Sequence, residues 1–218
     1  MNGVTFEVNG ISKNSDTDFD MIMEPVDIPF PEVKTKYVEK EFGDGSIDLT
    51  DADGNVYYKD RKFTLKFIVQ NKALYMAKLN ALSAFLHGQK VKMTFWYDQE
   101  YYYVGRLQIN NYKSNEYIGE IDVDVQVRPY KYKQEVTVKK ETSTASYVKH
   151  TYSNDRMPAV PTFKCSGEGY LKFNDNEYSL SANKEVIFPN VIFKNGNNDV
   201  YLKGSGMTWE IKYQEGAI

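Results

Sequence analysis

The chain is poor in the residues from which active sites are most often built. Across 218 residues there are one cysteine and two histidines. Cys165 cannot form an intrachain disulfide and reads as a small apolar filler in a strand. Neither His87 nor His150 has a Cys or Ser that the sequence singles out as a partner, and no nucleophile elbow, phosphate loop or dinucleotide fingerprint is present. The expectation is a chain that is not an enzyme and holds no cofactor and no metal. No apolar run approaches the ~18 residues of a membrane span. The opening residues, Met1 to Phe6, lack the charged-then-apolar pattern of a secretory leader. Excess positive charge is also missing. Residues 1–60 hold 5 Lys+Arg against 14 Asp+Glu, a net of −9, whereas residues 61–132 hold 11 against 6, a net of +5. An acidic first quarter repels phosphates, so reading of DNA sequence is not expected.

What is present is strand grammar. Hydrophobic residues make up 41% of the chain, enough for a core. In Lys62–Val69 the side chains of Phe63, Leu65, Phe67 and Val69 share one face under period-2 alternation. Val91, Met93, Phe95 and Tyr97 repeat the pattern, and Asp98 to Glu100 offers a turn into Tyr101–Ile109. A polar turn over Asn110–Asn115 leads to Tyr117–Val127, where Ile121, Val123, Val125 and Val127 alternate with Glu120, Asp122, Asp124 and Gln126. Three consecutive antiparallel strands result. Before them, Asn71 as N-cap and Gly88 as C-cap bracket a helix. Its stripe of Tyr75, Leu79, Leu82 and Leu86, with Phe85 alongside, must lie on the sheet. Burying that stripe is worth on the order of 6–12 kcal/mol before entropy costs. His87, in the last turn, reads as a favourable partner for the helix C-terminus.

Composition changes after Arg128–Tyr132. The stretch from Val138 to Tyr147 is polar, and residues 136–157 read as a linker between a domain over 1–135 and a second over 158–218, to which a strand at 145–152 is a possible addition. In the second domain short strands are expected at Thr162–Cys165, Gly169–Phe173, Glu177–Leu180, Val186–Phe188, Val191–Phe193, Val200–Leu202 and Trp209–Tyr213. Asn174 to Asn176 and Asn195-Gly196 are tight-turn signals, the latter for a type I′ hairpin. So many short strands imply a β-sandwich.

Three patterns invite a chemical reading. Asp51 to Asn55 looks like a calcium loop, but no 12-residue frame places both its glycine and its final ligand correctly, so it reads as a turn. Asp122 and Asp124 share a strand face and could form a carboxylate pair, yet alternating charges opposite an apolar face mark any half-exposed strand. The 18 tyrosines could stack on sugars or bases, but suit strands and wet protein interfaces at least as well.

The segment from Glu39 to Arg61 sets glycine turns, at Gly43/Gly45 and Gly54, around a short strand at Ile47–Thr50. It is shaped as an arm or hairpin. Gly43, Asp44, Gly45, Ser46, Ile47, Asp48, Leu49 and Thr50, followed by Tyr58 and Arg61, resemble the most specific signature of the distal tail proteins of long, non-contractile-tailed bacteriophages and prophages. Phe6 to Ser12, Leu86 to Val91, Tyr102 to Leu107 and Arg128 to Tyr132 are similar to the rest of that family's first domain. Val160 to Thr162, Asn198, Leu202 to Gly206 and Tyr213 to Gly216 are similar to its second. The family usually has an arginine in Gly-Arg-Asp-Gly-Ser where this chain reads Phe42-Gly-Asp-Gly-Ser46, so a contact made by that arginine is not carried over.

The resemblance implies a mainly β chain: a tail-tube-like split β-barrel with one flanking helix, followed by a galectin-like β-sandwich. It implies a structural role at the virion tail tip, after synthesis in the bacterial host cytoplasm. Six copies would form a hub ring that holds the tail tube on one face and baseplate or receptor-binding proteins on the other. DNA would pass through the lumen without specific contact. The net of −9 over residues 1–60, apart from the resemblance, suggests that part of that segment lines the channel so that exiting DNA does not stick. Residues 43–50 with Tyr58 and Arg61 would then be the candidate subunit interface. A closed ring needs a head-to-tail contact between unlike surfaces, which an arm and open strand edges can supply. Three other readings stand beside this one: a carbohydrate-binding, lectin-like tail or cell-wall module, a wall-degrading hydrolase, and the tube protein itself.

Overall fold

The computed structural model describes residues 3–115 and 118–218, and the chain divides into two compact units, Met1–Lys131 and Tyr132–Ile218. Both are built from strands. In the first unit these are β1 (Val4–Val8), β2 (Ile11–Asn14), β3 (Ile22–Met23), β4 (Tyr37–Glu39), β5 (Ser46–Asp48), β6 (Arg61–Val69), β7 (Lys90–Phe95), β8 (Tyr101–Ser114) and β9 (Gly119–Val127), with one α-helix, α1 (Tyr75–Leu86). The main sheet runs β2-β1-β7-β8-β9-β6-β3, antiparallel at each of these pairings. The expected β7-β8-β9 meander lies at its centre. Tyr117, placed at the start of β9 by the sequence pattern, lies outside the described residues.

The sheet closes on itself. Phe6 on β1 meets Phe67 on β6 edge to face, with ring centroids 6.3 Å apart. Four strand spacings of a flat sheet would separate those strands by roughly 19 Å, so the sheet curls into a split barrel. Its interior holds Phe63, Leu65, Phe67 and Val69 from β6 and Ile121, Val123, Val125 and Val127 from β9, all buried. The helix stripe is as expected: Tyr75, Leu79, Leu82 and Leu86 are the buried residues of α1. A glycine on the sheet sets how closely the helix approaches. A Cβ added at Gly119 would fall 2.1 Å from the Tyr75 ring, whose hydroxyl donates to the Glu120 carbonyl at 2.9 Å.

Several local expectations are corrected. Asn71 caps a 3-10 turn over Lys72–Leu74, its side chain accepting from Ala73 N at 3.1 Å, and the α-helix starts only at Tyr75. Strand β8 does not stop for a turn at Asn110; it continues to Ser114 through a bulge at that residue. His87 explains how: its Nδ1 accepts a hydrogen bond from Ile109 N at 3.2 Å, satisfying a donor next to the bulge. Its side chain serves the sheet, while its backbone N–H closes the last helical turn on the Ser83 carbonyl at 3.0 Å. An unforeseen hairpin joins β1 to β2 through Asn9 (φ +51) and Gly10 (φ +80), the paired positive angles of a type I′ turn.

In the second unit, residues 136–157 are not a linker. They carry β11 (Thr137–Thr142) and β12 (Val148–Asn154), which follow β10 (Lys131–Lys133) at the unit boundary. The remaining strands are β13 (Thr162–Cys165), β14 (Gly169–Phe173), β15 (Asn176–Leu180), β16 (Glu185–Ile187), β17 (Gly196–Lys203), β18 (Thr208–Tyr213) and β19 (Gly216–Ala217). Two four-stranded sheets, β11-β18-β13-β16 and β12-β17-β14-β15, share one core. The strand considered at 145–152 is thus present as β12, and the outermost position of β11 accounts for its being read as linker: an edge strand buries little, so its composition looks like that of a connection. Val191–Phe193 is not a strand and makes only a bridge from Phe193 to Ala159. Asn195-Gly196 accordingly joins no strand pair. The Asn198 side chain holds that loop instead, accepting from Lys194 N at 2.8 Å and donating to the Lys194 carbonyl at 2.8 Å and the Gly196 carbonyl at 3.0 Å.

Candidate subunit interface

Between β3 and β6 the chain leaves the barrel as a two-stranded ribbon. Lys59 N donates to the Glu32 carbonyl and Lys34 N to the Tyr57 carbonyl, both at 2.8 Å. Further out, Leu49 N reaches the Lys36 carbonyl at 2.8 Å, and Lys36 N reaches Thr50 Oγ1 at 3.0 Å. The ladder ends in the β4–β5 hairpin, where Tyr37 faces Asp48, Val38 faces Ile47 and Glu39 faces Ser46. Gly43 (φ +126) and Gly45 (φ +78) turn the tip, in a backbone region that side chains oppose. Residues 51–55 leave the ladder as a loop, where Asp53 accepts from Tyr57 Oη at 2.7 Å and from Asn55 N at 3.1 Å.

Every residue from Glu32 to Asp48 is exposed. This is unusual for its apolar members: Phe42 is 91% exposed and Phe30, at the root, 80%, with Tyr37, Val38, Ile47, Val56 and Tyr57 also open. An isolated two-stranded ribbon is marginal in water, and large apolar groups gathered on an exposed edge mark a contact surface. The tip is acidic as well, with Glu39, Glu41, Asp44 and Asp48 against Lys40.

The ten residues singled out in the sequence therefore separate into two groups. Gly43, Asp44, Gly45, Ser46, Ile47 and Asp48 form the exposed outer half of the arm, with Leu49 and Thr50 half-buried below them. Tyr58 and Arg61 belong to its anchorage. Tyr58 bridges to Val33 and packs edge to face on Tyr130, with centroids 5.9 Å apart. Arg61 is 4% exposed. Its Nε donates to the Pro129 carbonyl at 2.8 Å, a second guanidinium nitrogen donates to the same oxygen, and the group sits over the Tyr103 ring. Burial pushes the guanidinium pKa down and Tyr103 opposes that shift. Arg61 is thus withdrawn from the surface, and its expected place in an intersubunit contact is corrected: its charge is tied to Pro129 at the start of β6, where the arm rejoins the barrel. The exposed Phe30 and Tyr37 were not singled out in the sequence, although apolar residues in a stretch without period-2 alternation were the available sign.

The other patterns resolve into structural roles. Asp124 accepts from Thr64 Oγ1 across strands at 2.9 Å, and Lys66 faces Asp122 in the β6–β9 register. Trp209 is fully buried, its Nε1 donating to Ser143 Oγ at 2.9 Å, so it offers no face to a sugar ring. His150 lies on β12 with Nδ1 3.1 Å from Glu141 Oε2. Cys165 is buried, and that burial raises its thiol pKa, away from the reactive thiolate. Among the described residues no helix is long and apolar enough to cross a membrane.

No family model and no curated protein sequence matches the chain. In structure it is similar, over both units, to a phage protein: "SPP1 Dit (gp 19.1) Protein, a Paradigm of Hub Adsorption Apparatus in Gram-positive Infecting Phages". The two superpose with a TM-score of 0.67 over 99% of each chain at 13% sequence identity. The chain therefore has the mainly β fold of that hub adsorption protein.

Proposed function

We propose that this chain is a structural distal tail protein of a long, non-contractile phage or prophage tail. Six copies would close into a ring at the tail tip, between the tail tube and the baseplate or host-adhesion proteins, with DNA passing through the lumen and no bond-breaking step in the ring. The observation that carries this reading is the arm, a seventeen-residue exposed run bearing Phe42 and Ile47 that no described residue of its own chain covers. The shared fold of a hub adsorption protein supports it. A ring closes when each copy offers one surface and receives another. An arm rooted by Arg61 and Tyr58 is suited to the offering side.

Mass photometry of purified protein over a concentration series, followed by negative-stain imaging, tests the proposal. Six-fold rings are the expected result. A stable two-fold dimer at all concentrations contradicts head-to-tail closure, and cleavage of cell-wall polymer by the purified protein contradicts a purely structural role.

A further inference from the structure

The barrel also carries a surface suited to receive such an arm. On its solvent face, strands β6, β9, β8 and β7 present two adjoining hollows that share Arg106 and Gln126 and together make a groove: Lys62 and Asp124 line the first, and Lys90, Arg128 and Asp60 the second. The carboxylates are engaged locally, Asp124 by the Thr64 hydroxyl and Asp60 by the Gln126 amide at 2.9 Å. Lys62 and Lys90 are exposed. No residue of 32–59 lines the groove, so the chain does not fill it with its own arm. The arm tip carries the opposite sign, four carboxylates against one lysine over Glu39–Asp48.

We infer that the acidic tip of one copy docks in this cationic groove of the next. The inference rests on the ring reading above and names its receiving surface. The two surfaces are different patches of one chain with opposite charge, which is what a heterologous, closing contact requires. Complementary charge would steer the encounter and set the register, while Phe42 and Ile47 lose water on docking. Nucleic acid is the less suitable occupant. A groove that tracked a phosphate backbone would gain from uniform positive charge, and Asp60 and Asp124 interrupt it.

The test is a charge swap followed by mass photometry. Lys62→Glu with Lys90→Glu alters the groove, Glu39→Lys with Glu41→Lys alters the tip, and a third protein carries all four changes. All four positions are exposed, and circular dichroism melts confirm that each variant folds. If the inference holds, either pair alone raises the concentration needed for half-assembly by about tenfold or more, and the combined protein returns toward the wild-type value. Neutral variants at the same positions should fall between, with a weaker salt dependence than wild type. Rings that form equally well with the altered groove overturn the docking site while the ring stands. Wild-type protein that stays monomeric throughout overturns the ring, and the docking site with it. Binding of DNA that the groove variant loses, without any change in assembly, assigns the groove to nucleic acid and also overturns the inference.

Discussion

The arm and the sheet that follows it meet at Arg61, and they treat apolar residues in opposite ways. From Phe63 to Val69 every second side chain disappears into the barrel. Earlier in the chain, along the arm, Ile47 and Val56 stand in solvent, and Phe42 is 91% exposed. The sheet obtains its burial from its own chain through period-2 alternation. The arm has comparable apolar groups, only two strands and no core beneath them; in the proposed ring its burial comes from the next copy. The proposed ring thereby assigns intrachain stability and assembly to separate stretches of sequence, which permits each to be broken alone.

The largest effect should come from the sheet. Phe67 is fully buried and packs on Phe6 across the barrel closure. Phe67→Ala is expected to cost about 3–5 kcal/mol, the usual range for an emptied aromatic site, in denaturant unfolding followed by signals from the first unit. A loss below about 1 kcal/mol would mean that the barrel does not close through this pair.

Arg61 tests the boundary itself. Arg61→Met retains much of the side-chain volume but leaves the Pro129 carbonyl without its two donors. The expected loss is about 1–3 kcal/mol, together with increased hydrogen exchange across residues 32–59. Should exchange rise in β6 and β9 but not in the arm, Arg61 supports the barrel alone and does not set the arm's departure.

How far these parts were legible in sequence follows the same division. Strands β6, β7 and β9 and the helix stripe could be read because one buried face repeats at a fixed period. The edge strand β11 could not, and β12 only as a possible addition at 145–152, since a strand paired on one side with a wet outer face has the composition of a connection. The bulge at Asn110 was hidden because the group that satisfies the neighbouring Ile109 N, His87 Nδ1, lies 22 residues from Ile109 in sequence. In the candidate interface, the glycine turns and short strand announced an arm. The inward rotation of Arg61 depended on Pro129 and Tyr103, contacts that no local pattern encodes.

A smaller effect on stability is expected at the tip. Phe42→Ser with Ile47→Thr touches no core, so thermal stability should stay within about 0.5 kcal/mol of wild type, while the concentration for ring assembly rises sharply in mass photometry. The reverse result, a destabilised monomer with assembly intact, would place these side chains in a core of their own chain and remove the contrast between arm and sheet.

Acid should separate the two regions most gently. Glu32 is held below the usual carboxylate range by its hydrogen bond and attraction to Lys59, 2.8 Å away. Asp48 is lowered chiefly by the Thr50 side chain, and Asp53 by the Tyr57 hydroxyl. Each of these groups is more acidic in the folded arm than in a disordered one, so the folded arm binds fewer protons. Their contribution is complete above the ordinary carboxylate range of about 4 and is lost as pH falls through the lowered values. All three are fully exposed, so the loss is small and local. Amide spectra recorded from pH 6 down to pH 3 should show residues 32–59 losing their ladder hydrogen bonds while β6 and β9 keep theirs. If both regions lose protection together, the arm is held by the barrel after all, and its exposed apolar residues need no second copy to explain them.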